Sequence, residues 1–134
     1  MAQSHIEDIF DENLRLMTTD TRAWSELLAE DVVVEFPYAS ALGWPGRLDG
    51  REAAYNHVAN SLPMMPDLTF SNVRKYPTTN PNVMWAEVHG SANVPSTGKK
   101  YEQDYAVKLT LSNGKVAHYS EYWNPLAMKA YEKD

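Results

Sequence analysis

The stretch Ser112-Asn113-Gly114-Lys115-Val116-Ala117-His118-Tyr119-Ser120-Glu121-Tyr122-Trp123-Asn124-Pro125 decides the architecture. Asn113-Gly114 is the chemistry of a tight hairpin turn, because both residues tolerate positive φ. After it the side chains alternate at a period of two until Pro125, as they do in a strand. The turn ties this strand to the alternating run at 101–111 and so to an antiparallel meander. Tyr119, Glu121 and Trp123 share one strand face, and His118, Ser120 and Tyr122 the other. A carboxyl group thus stands between two aromatic rings. If that face lines a cavity, desolvation raises the pKa of Glu121, and a carboxyl titrating near neutral pH can act as a general acid or base. The same spacing also fits a surface glutamate on a sheet edge.

Upstream, 83–92 and 68–76 read as two more strands, joined through Thr79-Asn80-Pro81-Asn82. Pro63-Met64-Met65-Pro66-Asp67 separates the meander from a helical part. Ser4, with Glu7 three residues on, forms a capping box for a first helix whose apolar residues are Ile6, Ile9, Phe10, Leu14 and Met17. Asp20 or Thr21 caps a short second helix through Trp24, Leu27 and Leu28. Ala29-Glu30-Asp31 turns the chain into the β-branched run Val32-Val33-Val34-Glu35-Phe36, which ends at Pro37. Residues 38–49 read as a long loop carrying Trp44, and 51–62 as a third helix with His57 and Ser61 one turn apart on one face. Residues 126–133 read as a short terminal helix. Helices followed by a meander give an α+β fold. Its three N-terminal helices pack on a curved, mainly antiparallel sheet, with a cavity between the layers where a small ligand sits.

The 134 residues correspond to one domain. A net charge of −6 argues against a nucleic-acid partner, which needs a basic surface. The chain has no cysteine, which excludes disulfides, thiol catalysis and thiolate metal sites. No apolar stretch approaches membrane-spanning length, and residues 1–5 lack the pattern of a signal peptide. The expectation is a soluble cytoplasmic protein. No His-Glu-x-x-His or comparable spacing is present, so neither a metal nor another cofactor is expected.

The order of these pieces resembles the SnoaL-like branch of the nuclear-transport-factor-2-like superfamily, a cone-shaped α+β fold. The resembling pieces are Leu27-Leu28-Ala29-Glu30-Asp31-Val32-Val33-Val34-Glu35-Phe36-Pro37, Gly50-Arg51-Glu52-Ala53-Ala54, Gly114-Lys115-Val116 and Glu121-Tyr122-Trp123-Asn124-Pro125. The positions that would carry ketosteroid isomerase chemistry hold Phe36 and Ala106, neither of which exchanges a proton, so that activity is not expected. The phenazine-biosynthesis A/B proteins are the more similar subfamily. Their pocket His, Ser and Glu match His57, Ser61 and Glu121. The resemblance implies that Glu121 is the acid–base group, with His57 and Ser61 as orienting or anion-binding partners.

These readings yield an expected site. Glu121 and His57 are its catalytic residues. Ser61, Phe36, Trp44, Tyr105, Tyr119 and Trp123 contact the substrate, and Trp44 either caps the pocket mouth or anchors its loop in the core. The expected reaction is cofactor-independent proton transfer on a cyclic or conjugated carbonyl compound. The alternative is a non-catalytic binder of an apolar small molecule. Met84, Ala86 and Val88 are expected to face inward, leaving Trp85, Glu87 and His89 on the outer face of the sheet, where Trp85 meets a partner in a homodimer.

Overall fold

A computed structural model of the chain describes residues 4–134; residues 1–3, part of the stretch read for a signal peptide, lie outside it. Helix α1 (His5–Thr19) starts at a capping box in which Ser4 N–H and Oγ both donate to Glu7 Oε1, at 3.3 and 3.0 Å. Helix α2 (Thr21–Ser25) is capped by Asp20, whose Oδ1 accepts from Ala23 N at 3.1 Å. Strands β1 (Leu28–Glu35) and β2 (Arg47–Asp49) follow, then α3 (Arg51–Ser61). The meander is β3 (Thr69–Pro77), β4 (Val83–Asn93), β5 (Lys100–Ser112) and β6 (Lys115–Trp123). The chain closes on a 3-10 helix, Pro125–Tyr131.

The six strands form one sheet in the order β2-β1-β6-β5-β4-β3. Every neighbouring pair is antiparallel except β1 and β6, which run parallel. Asn113 and Gly114 take positive φ of 52° and 76°, and the hairpin they make aligns β6 with β5 so that Glu121 faces Val107 and Tyr119 faces Leu109. The inward face of β4 carries Met84, Ala86 and Val88, all buried, as expected; Trp85 on the outer face is 38% exposed. Ile6, Ile9 and Phe10 of α1 pack into the same core as Val107, Leu109 and Val116. No helix among the described residues is long and apolar enough to cross a membrane.

The structure departs from the sequence reading in five places. Helix α2, expected to run through Leu27 and Leu28, ends at Ser25, because Leu28 is taken into β1. The loop expected over 38–49 contains a 3-10 turn, Ala39–Leu42, and the edge strand β2, which pairs Val34 with Leu48. Three residues flanked by Gly46 and Gly50 are too few to show a period. Strand β1 begins at Leu28 rather than Val32, because a register break between Leu28 and Val33 disrupts the alternation that would have marked it. Helix α3 runs directly into a 3-10 turn, Leu62–Met64, with Pro63 in its first turn. The C-terminal helix is of the tighter 3-10 kind: Pro125 opens it and Asn124 Oδ1 accepts from Leu126 N at 3.0 Å.

Candidate functional site

A cavity of about 390 Å³ lies between the helices and the inward face of the sheet. Glu121, His57, Ser61, Phe36, Tyr105, Tyr119 and Trp123 all line it, and so does Trp44. Alternation along β6 turns Glu121 inward between Tyr119 and Trp123. The parallel register of β1 on β6, Glu35 against Ser120, brings Phe36 level with Glu121.

Burial in these apolar walls pushes the Glu121 carboxyl up to about 7, and a hydrogen bond from Tyr119 partly offsets the rise. Part of Glu121 remains accessible, and that surface belongs to the cavity wall rather than to the outside of the molecule. The Tyr119 phenol is raised by burial and then by the charge of Glu121. It therefore stays protonated and can donate to the carboxylate.

Behind Tyr119 stands a residue that the sequence reading missed. Asn13 sits on the apolar face of α1, at the helical spacing of Ile6, Ile9 and Phe10, and is 1% exposed. Trp24 Nε1 donates to its Oδ1 at 2.7 Å. This fixes which way the amide points. Its Nδ2 makes no bond of full hydrogen-bond geometry, but lies close enough to the Tyr119 oxygen to lower that phenol's pKa. Trp24, Asn13, Tyr119 and Glu121 thus form a buried polar line from the helices to the cavity. An asparagine in an otherwise apolar helical stripe was the available signal, since a buried amide must find partners. Replacing Tyr119 with Phe removes the donor to the ionised carboxyl. We expect Glu121 then to titrate at higher pH, its charged form destabilised by about 1.5 kcal/mol. Carbon-detected NMR titration of the Glu121 carboxyl checks this, and an unchanged or lower midpoint would count against the line.

His57 occupies the rim. Solvent reaches it, yet its ring packs on Phe36 with centroids 5.0 Å apart, and burial lowers its pKa. The imidazole is therefore neutral near pH 7. The rise at Glu121 is opposed by Tyr119 and not by this ring. Of the two expected roles of Ser61, orienting or anion-binding, its hydroxyl proton is not free for the second. Its Oγ donates back to the His57 carbonyl at 2.7 Å, so it offers the cavity only lone pairs. Trp44 is 48% exposed and lies 6.4 Å from the Trp123 ring, which places it at the mouth and not in the core.

On the outer face, His89 bridges Asp104 and Glu102, whose hydrogen bonds raise its pKa. His118 meets Glu35 at 2.6 Å. Neither cluster touches the cavity. Among the described residues no group of three or more His, Cys, Asp or Glu side chains converges as a metal site.

The sequence and fold can be set beside known proteins. A PhzA/B-like protein of uncharacterised function from Pseudomonas aeruginosa is 35% identical over 121 residues, 90% of this chain and 84% of that protein. Phenazine biosynthesis protein PhzA of Pseudomonas fluorescens is 38% identical over 63 residues, 45% of this chain and 39% of that protein. The crystal structure of a candidate isomerase from Bacillus subtilis superposes with a TM-score of 0.86 at 28% identity, covering 98% of this chain and 99% of that one. The helix-over-sheet cavity, these relatives and a SnoaL-like domain model matching residues 6–119 agree: the chain belongs to the SnoaL-like domain family.

Proposed function

We propose that the protein is a cofactor-independent enzyme that moves protons on a cyclic or conjugated carbonyl compound held in the cavity. The reaction class is isomerisation, cyclisation, dehydration or condensation. The observation that carries this reading is the Glu121 carboxyl, pushed to about 7 by an apolar wall. At that value it is present in both forms at neutral pH, which suits a group that must take and return a proton. Tyr119 holds the carboxyl in place, and neutral His57 at the rim can accept or pass a proton. The phenazine-biosynthesis names among the relatives support chemistry on small ring compounds.

The test is proton exchange at carbon. Wild-type protein in D₂O is expected to speed deuterium uptake next to the carbonyl of 1-tetralone, and Glu121→Gln to abolish the acceleration. A second reading, a binder without turnover, is favoured by one observation: the Ser61 hydroxyl is spent on its own helix. Saturable binding of the ketone with no exchange above buffer would select that reading.

We propose also that two copies pair through the outer sheet face, making a homodimer. Trp85 stacks on Tyr122 there at 5.9 Å, Tyr38 meets Tyr122 at the same distance, and Tyr76 is 48% exposed. Exposed aromatic surface of this kind supports an interface. Light scattering is expected to give twice the 15.2 kDa chain mass, and Trp85→Glu to give the single chain. A wild-type monomer at high concentration would contradict this.

A further inference from the structure

The cavity has an apolar body and one polar end. Tyr101 and Tyr105 stand on the inward face of β5, either side of Gln103, and their hydroxyls lie 2.8 Å apart. Gln103 is tied to the chain: its Nε2 donates to the Asn124 carbonyl and its Oε1 accepts from Asn124 N, each at 2.9 Å. Its remaining N–H lies beside the Tyr101 hydroxyl, and Gln103 is not among the residues that line the cavity. The two phenols carry two protons and use one between them, so the pair keeps one O–H to donate. Burial raises both, Tyr101 to about 12, and they remain neutral donors. The Tyr105 ring sits where Gly90 has no side chain; a Cβ there would lie 2.8 Å from Tyr105 Cε2.

Among the described residues no Lys or Arg lines the cavity. Arg51, at the start of α3, is turned away, with Nε and Nη2 donating to the Leu28 carbonyl at 3.0 and 2.6 Å. A ligand carboxylate would therefore lose its water and find no cation, an arrangement that proteins avoid. A carbonyl oxygen needs only the donor that the phenol pair supplies. The volume, about 390 Å³, is at the small end of the roughly 300–1,000 Å³ of ligand pockets and suits two fused rings.

We propose that the cavity selects a neutral fused-ring ketone, its carbonyl oxygen seated on the Tyr101–Tyr105 hydroxyl pair, and rejects the matching carboxylate. The inference rests on the reading of this cavity as the substrate site. The titratable groups around Glu121 are Tyr119 on β6, Tyr101 and Tyr105 on β5, His57 on α3 and Tyr131 on the C-terminal 3-10 helix; α1 contributes the neutral Asn13. Only Glu121 becomes negative between pH 5.5 and pH 8, so rejection of an anion should strengthen over that interval.

The experiment is a calorimetric titration of the full chain with 1-tetralone, tetralin-1-carboxylate and tetralin at pH 5.5 and pH 8. The ketone is expected to bind about 100-fold more tightly than the carboxylate at pH 8, with a smaller ratio at pH 5.5. Tyr105→Phe and Tyr101→Phe should each weaken the ketone about ten-fold and leave tetralin within about two-fold. The wild-type ratio stands whether or not either variant folds. Carboxylate affinity within about three-fold of the ketone at pH 8 overturns the inference alone. So do variants that weaken tetralin as much as the ketone, because the tyrosines then act through shape. Binding of none of the three compounds, tetralin included, overturns the functional reading as well.

Discussion

Replacing Glu121 with Gln is expected to lower turnover by about 10²–10⁴-fold while leaving ligand affinity within a few-fold. Gln has nearly the shape of Glu and can hold the Tyr119 contact, so the wall stays intact and only the exchangeable proton is lost. The pH profile separates this from a packing effect. Wild-type kcat should change near pH 7, where burial sets the Glu121 carboxyl. The direction of the change reports the role: falling activity with rising pH means that the protonated acid donates, and rising activity that the carboxylate abstracts. The residual activity of Glu121→Gln should lack this step. Turnover equal to wild type would remove Glu121 from the mechanism. A retained step at the same pH would move the assignment to another group, and His57 is the neighbour to test next.

The sequence made some parts of this site legible and hid others, for definite physical reasons. Period-two alternation needs only local residues, so the shared face of Glu121, Tyr119 and Trp123 could be read from β6 alone, whereas the inward direction of that face depends on how the helices lie across the sheet. The i, i+4 spacing likewise put His57 and Ser61 on one helix face. What they do there was not legible. The Ser61 hydroxyl had a nearer acceptor, the carbonyl one turn back, and local competition of that kind leaves no mark on the spacing. Strand β2 was hidden because edge pairing depends on a partner twelve or more residues away in sequence, here Leu48 on Val34. The start of β1 was hidden by its register break. Asn13 carries no mark of its role among apolar neighbours, because its amide joins Trp24 to the cavity wall only once α1 is laid across the sheet. Gly90 carried no signal at all; its value lies in the space it leaves for Tyr105.

The stability of the protein should carry the mark of the same carboxyl. In the unfolded chain Glu121 titrates near the ordinary 4.5, and in the folded protein near 7. Between those values the folded state holds a proton that the unfolded state has released, so stability falls as pH rises through this window and levels off above it. The shift sets an upper limit of about 3 kcal/mol, and the accessibility of part of Glu121 reduces the expected loss to about 2 kcal/mol through solvent screening. Two histidines titrate in overlapping ranges with opposite signs. His57, lowered by burial, favours folding as pH rises towards 6.5, whereas His89, raised by Asp104 and Glu102, loses its contribution above 6.5. Neither is altered in Glu121→Gln, so the difference between wild-type and mutant unfolding free energies isolates the one carboxyl. Urea unfolding across pH 4 to 8.5 should show the mutant gaining about 2 kcal/mol relative to wild type as pH increases, on top of any constant offset from burying an amide. The group that makes the cavity reactive would then be one that the fold holds at a cost in stability at neutral pH and above. A difference that stays flat with pH would mean that Glu121 titrates normally in the folded protein, and the catalytic assignment would lose its physical basis.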